Sequence, residues 1–162
     1  MEELNIKCLE VSMKLTRKEK IMAEDIDIAP LMQHFRENLV GALRIPVTYS
    51  WFISGNVATG IEKDLTYRLK KAVTAKDVEL HVKTAPTGAA LIVDINENAT
   101  SLFSTLPRIA IDETTEDNNH IFSDTFLAAG AELTMDIDQV GSTVTGADLT
   151  VLLHCTESIY EV

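Results

Sequence analysis

Thr84-Ala85-Pro86-Thr87-Gly88-Ala89-Ala90-Leu91-Ile92-Val93-Asp94-Ile95-Asn96 and Leu133-Thr134-Met135-Asp136-Ile137-Asp138-Gln139-Val140-Gly141-Ser142-Thr143 decide the fold class. Each contains a run in which apolar side chains alternate with polar ones, the period of a strand with one buried face. Within them Leu91 to Asn96 and Leu133 to Asp138 share one phase, with an acidic or amide residue at the fourth and sixth positions. Those two positions point to one face of a strand, so each run gathers two oxygen-bearing side chains. Two strands obeying one alternation rule look alike without any duplication.

Outward from these runs, β-branched and aromatic residues dominate from Arg44 onward and are broken at short intervals by Gly, Asn, Asp and Thr. The pattern predicts strands at about 46–54, 64–71, 77–84, 90–96, 101–104, 108–111, 121–126, 132–138 and 147–156. Short strands at this spacing, without helices between them, predict a mainly β protein: an antiparallel β-sandwich or jelly roll over 44–162. Residues 1–43 are expected to form an N-terminal arm with one short helix, for anchoring or oligomerisation. Leu4 to Met22 alternates in two phases that meet at Cys8-Leu9, as at a bulge. Asp27 is a candidate cap, and Pro30 suits the first turn of a helix running to about Leu43. Leu31, Phe35 and Leu39 recur every four residues and form an apolar stripe, expected to contact a neighbouring subunit or partner.

At 162 residues, with 46% hydrophobic and 24% charged residues, the chain suits one globular domain with an arm. A net charge of −11 excludes general attraction to nucleic-acid phosphate or to an anionic membrane surface. Positive residues concentrate in Lys14 to Lys20 and Lys63 to Lys71, whereas Asp112 to Asp117 is acidic. Two solvated faces account for that asymmetry. No apolar run approaches the ~18 residues of a membrane span, and the start has no secretory signal. Cys8 and Cys155 lie near opposite ends without zinc-binding spacing, and both are expected as core thiols.

Catalytic and ligand-binding readings find little to stand on. Asp94-Ile95-Asn96-Glu97-Asn98 matches the start of a calcium loop but lacks its sixth-position Gly and distal Glu, so a hairpin turn at Asn96 to Asn98 is expected. Asp136 and Asp138 share a strand face, the arrangement from which a glycosidase would draw a carboxylate, but no opposed partner is evident. His34, His81, His120 and His154 are scattered, and no GxSxG motif is present. Gly55, Gly60, Gly141 and Gly146 are spaced like strand connections, with Gly141 to Asp148 expected as a polar hairpin tip. No cofactor or metal is expected, and no enzymatic activity. Tyr49 and Trp51 alternate onto one face and Phe52 onto the other, so Tyr49 and Trp51 are expected in the core or at a subunit interface.

Residues 84–98, then Ser101 to Thr105 and Pro107 to Ala110, then Ala129 to Thr143 and Gly146 to Val151, together resemble a β-rich module of tailed-bacteriophage virion proteins. The resemblance spans about Ile53 to His154. Such modules occur in head decoration proteins and in tail or receptor-binding components, commonly as sandwich or jelly-roll trimers. The resemblance therefore implies a virion structural protein made in the bacterial cytoplasm and carried on the particle surface. A capsid decoration (cement) role is expected, with itself as a homotrimer and the major capsid protein or other virion proteins as partners. A tail, collar or fibre component that binds a host receptor is the alternative, and a carbohydrate-active enzyme a remote one. Ala99 departs from the module, which carries Gly after Asn, and this puts the type of the Asn98 turn in question.

Overall fold

A computed structural model describes Gln33 and residues 44–158. Gln33 is helical; the stripe at Leu31, Phe35 and Leu39, the two-phase stretch from Leu4 to Met22, and Cys8 lie outside the described residues. The chain divides between Ala42 and Leu43, and every strand below belongs to the second unit.

The strands are β1 (Arg44–Asn56), β2 (Tyr67–Arg68), β3 (Val73–Thr84), β4 (Leu91–Glu97), β5 (Thr100–Ser101), β6 (Phe103–Thr105), β7 (Arg108–Ile109), β8 (Ile121–Phe122), β9 (Phe126–Leu127), β10 (Glu132–Gln139) and β11 (Ala147–Ser158). One sheet has the order β1-β11-β3-β9, and a second has the order β2-β10-β4-β5, with β7 also on β4. A two-stranded ribbon joins β6 to β8. Every ladder is antiparallel. The protein is mainly β, as expected, with antiparallel sheets that curl into a half-barrel.

Alternation places the core. Trp51 pairs with Val151, which pairs with Leu80, and Tyr49, Leu153 and Val78 form the next row. On the second sheet Leu91, Val93 and Ile95 of β4 and Leu133, Met135 and Ile137 of β10 are buried. Both sets join one apolar cluster, each full burial stabilising by about 1.5–3 kcal/mol. The two echoing runs of the sequence are hydrogen-bonded neighbours, with Asp94 opposite Asp136 and Ile95 opposite Met135. Their likeness follows from lying in one sheet with one buried face.

The run expected at 101–104 splits into β5 and β6, 108–111 shrinks to Arg108–Ile109, and three further expected strands change for a local reason. β3 starts at Val73, before the expected 77, because Ala75 pairs with Cys155 and Asp77 with His154, leaving Lys76 as a bulge. That bulge shifts the phase so that Val73 and Ala75, and then Val78, Leu80 and Val82, all reach the core. The strand expected at 64–71 shrinks to Tyr67–Arg68 because the chain before it serves both sheets. There Lys63 N–H donates to Met135 O of β10, while Asp64 and Leu65 accept from Phe52 and Trp51 of β1. The run at 121–126 splits at Asp124, whose Oδ1 accepts from Phe126 N–H, so that β8 and β9 enter different sheets.

Candidate functional site

Gly141 to Asp148, expected from sequence as a hairpin tip, is instead a crossing over 140–146 from β10 in one sheet into β11, which holds Ala147 and Asp148, in the other. Residues 85–90 make the reverse crossing from β3 to β4. The two crossings are zipped together. Thr87 N–H donates to Val144 O at 2.9 Å, Thr143 N–H donates to Thr87 O at 3.0 Å, and Val144 N–H donates to Thr87 Oγ1 at 3.1 Å. Gly141 allows the close approach: a Cβ there would collide with the Val144 carbonyl and the Thr87 nitrogen. The chain leaving β1 joins them where Val57 N–H donates to Gly146 O at 2.9 Å.

The acidic residues of the two runs face away from the core and bind one another's surroundings. Asp136 Oδ1 accepts from Glu62 N–H at 2.7 Å and Oδ2 from Asn96 Nδ2 at 3.0 Å. Ser101 Oγ donates to Asp94 Oδ1 at 2.7 Å. Burial raises the Asp94 carboxyl above its ordinary value, the Ser101 hydrogen bond opposes this, and the charges of Asp138 and Asp136 add to it. Asp138 occupies a bulge, since Ile137 pairs with Val93 and Gln139 with Ile92. Asn96 lies within β4, and the hairpin turn is at Asn98-Ala99, with φ +48° and +64°. Among the described residues no group of three His, Cys, Asp or Glu side chains is set to hold a metal ion.

Trp51 is 1% exposed and lies in the core. Its Nε1 donates to Leu65 O at 2.7 Å, and the Tyr67 ring meets both Trp51 and Tyr49 edge-on at 5.2 Å. Tyr49 is partly buried against the same core, and Phe52 on the opposite face is 56% exposed. β1 lies at the end of its sheet, yet its free edge is shielded. Pro46 has no N–H, Ser50 O accepts from the Tyr67 hydroxyl, and Phe52 N–H donates to Asp64 Oδ2.

Among the described residues, an open groove of about 420 Å³ lies on the outer face of the first sheet. Asp77, Glu79 and His81 alternate outward from β3; Thr115, Glu116 and Asn118 line the groove too, together with Thr150 and Leu152 of β11. Among the described residues no Lys or Arg lines it, so these present carboxylate and hydroxyl oxygens to a donor ligand. His154 stands on the same face, Nδ1 3.1 Å from Thr48 Oγ1 and Nε2 3.3 Å from Glu79 Oε1. The sequence reading missed this site: the acidic run at Asp112 to Asp117 was a signal, but its approach to β3 depends on long-range pairing. Glu116 is held above its ordinary value mainly by burial, with the His120 contact opposing. Asp117 is held below its ordinary value, because hydrogen bonds from Arg108 and Asn119 outweigh its burial.

Comparisons with protein families, with curated proteins and with solved structures return no match.

Proposed function

We propose that the chain is a bacteriophage virion structural protein, a capsid decoration (cement) protein whose sheets stack as a sandwich or jelly roll and which works as a homotrimer on the particle surface. One observation carries the reading. The two strings that bear the phage resemblance, Thr84 to Gly88 and Asp136 to Thr143, meet through Thr87 and Thr143, so the residues that carry it form one contiguous feature of this fold. In this role the stripe at Leu31, Phe35 and Leu39, with the exposed Phe52, Ile61 and Leu65, supplies apolar area to capsid and subunit contacts. Burial of such area stabilises at about 25 cal/mol per Å² before association costs, and a trimer adds multivalency.

A tail, collar or fibre component is the second reading, favoured by the open groove and its hydrogen-bonding lining. The enzymatic reading has less behind it, since both Asp136 oxygens already accept hydrogen bonds. Cryo-electron microscopy of particles lacking the protein separates the first two. Missing density on the capsid surface supports the cement role; complete heads with impaired adsorption support the tail role and overturn it.

A further inference from the structure

The positive charges that concentrate late in Lys63 to Lys71 gather at one end of the first sheet. A second open pocket, of about 340 Å³, is lined there by Tyr49, Arg68, Lys70, Lys71, Val73 and Glu157. Val73 opens β3 and pairs with Glu157 of β11, while Arg68 belongs to β2 and Lys70 and Lys71 lead from it into β3. The Lys71 ammonium holds the Glu157 carboxylate. Arg68 approaches Glu132 at 3.6 Å, with both side chains exposed, an arrangement that contributes little. Lys70 has no ion pair to a described residue. The partly buried Tyr49 ring adds an apolar wall. On a chain of net charge −11, this pocket has cations in excess.

The complementary surface lies at the other end of β3. Within the acidic run Asp112 to Asp117, Glu116 is buried and Asp117 is bound to Arg108. Asp112 and Glu113 remain exposed, with no ion pair to a described residue. Their backbone is fixed: Asp112 N–H donates to Pro86 O at 2.9 Å and Glu113 N–H to Ala110 O at 3.2 Å. Ile111 beside them is 49% exposed. This turn hangs on Pro86, just past Thr84, whereas the pocket adjoins Val73 at the start of the same 12-residue strand. At ~3.3 Å per residue the two surfaces lie roughly 35–40 Å apart, so they can meet only between copies.

We propose that the pocket of Arg68, Lys70 and Lys71 receives the Ile111-Asp112-Glu113 turn of a second copy of this chain. The two carboxylates meet the cations, and Ile111 lies against the Tyr49 ring. Because the joined patches are unlike, the contact is head-to-tail: each copy offers its pocket to one neighbour and its turn to another. Three copies close such a contact into a ring. The turn is formed before association by its own backbone hydrogen bonds, so little ordering entropy is lost on binding. Copies of net charge −11 repel one another in general, and an excess of cations selects the face by which they approach. The inference deepens the proposed homotrimer and rests on that reading for the number of copies, not for the contact itself.

The test is sedimentation of the full chain beside three charge-swapped variants: Arg68→Glu with Lys70→Glu, Asp112→Lys with Glu113→Lys, and all four changes together. Lys71 is left in place because it holds Glu157. Each pair alone should raise the concentration at which the oligomer dissociates at least about thirtyfold, and the fourfold variant should return to within about threefold of the native value. The Asp112 and Glu113 pair is the sharper arm, since it lowers the net negative charge and weakens general repulsion, yet should disperse the oligomer. Should the fourfold variant fail to fold, Lys70→Glu and Asp112→Lys, apart and joined, replace it. A turn variant that assembles like the native chain overturns the contact, as does a folded combined variant that stays dispersed, or a native chain that is monomeric at every concentration. A trimer unmoved by any swap would remove this contact and leave the trimer standing. Restored oligomers that fail to bind the particle would support the contact and count against the virion reading.

Discussion

Thr87 and Val144, 57 residues apart, share an antiparallel bridge in which the Thr87 N–H, carbonyl and hydroxyl all bind the 143–144 backbone. The bridge joins the crossing from β3 to β4 with the crossing from β10 to β11, so that two connections between sheets support one another. Polar backbone in a crossing must find partners somewhere, and here each crossing supplies the other's.

Gly141 is the point at which this bridge is most exposed to disruption. A Cβ there meets backbone atoms of Val144 and Thr87, which cannot swing aside as a side chain would. Gly141→Ala should destabilise the domain by about 3 kcal/mol. Gly55→Ala, with open space around it but φ +74°, should cost about 1 kcal/mol. Urea unfolding followed by the fluorescence of Trp51, the sole tryptophan, measures both.

Ala99 carries strain that glycine would relieve. Both central residues of the Asn98-Ala99 turn have positive φ, a condition of the type I′ hairpin turn, in which Gly is preferred at the second position. Ala99→Gly should raise stability by about 1 kcal/mol in the same urea assay.

Asp94 stands directly opposite Asp136, and its carboxyl is raised above the ordinary value. A group whose folded pKa is raised contributes stability below its unfolded pKa and loses it as pH rises through the folded one. Asp94→Asn keeps an oxygen for the Ser101 hydroxyl and removes the like charge. The variant should be more stable by about 0.5 kcal/mol at neutral pH, with the difference shrinking toward acid.

Burial pushes the Cys155 thiol up to about 12, so little thiolate is present at neutral or mildly alkaline pH. Peptide-resolved alkylation at pH 8 should leave Cys155 unmodified in the native chain and modify it fully in denaturant.

Much of the fold was legible because one-sided burial writes itself as alternation. Leu91 to Asn96 and Leu133 to Asp138 announced β4 and β10, and the run at 147–156 announced β11. The phase break at Lys76 concealed the first four residues of β3, because a bulge makes two incompatible alternations continuous. The sheet assignments were not legible, since a chain passing from β10 to β11 through Gly141 to Gly146 looks locally like one turning a hairpin. The groove was hidden for a related reason. Asp77 and Glu116 are distant in sequence, and the bonds of Glu116 to Leu80 and of Thr114 to Val82 bring them together. Trp51 was placed on its correct face, while its choice of core over interface depended on Tyr67 and Leu65, which no periodicity links to it.

The virion reading is tested most directly by the native mass of the full chain, measured with its cosedimentation on phage particles that lack it. The account predicts three times the 17.9 kDa chain mass and saturable binding to the particle. A 17.9 kDa monomer that stays in the supernatant would contradict it.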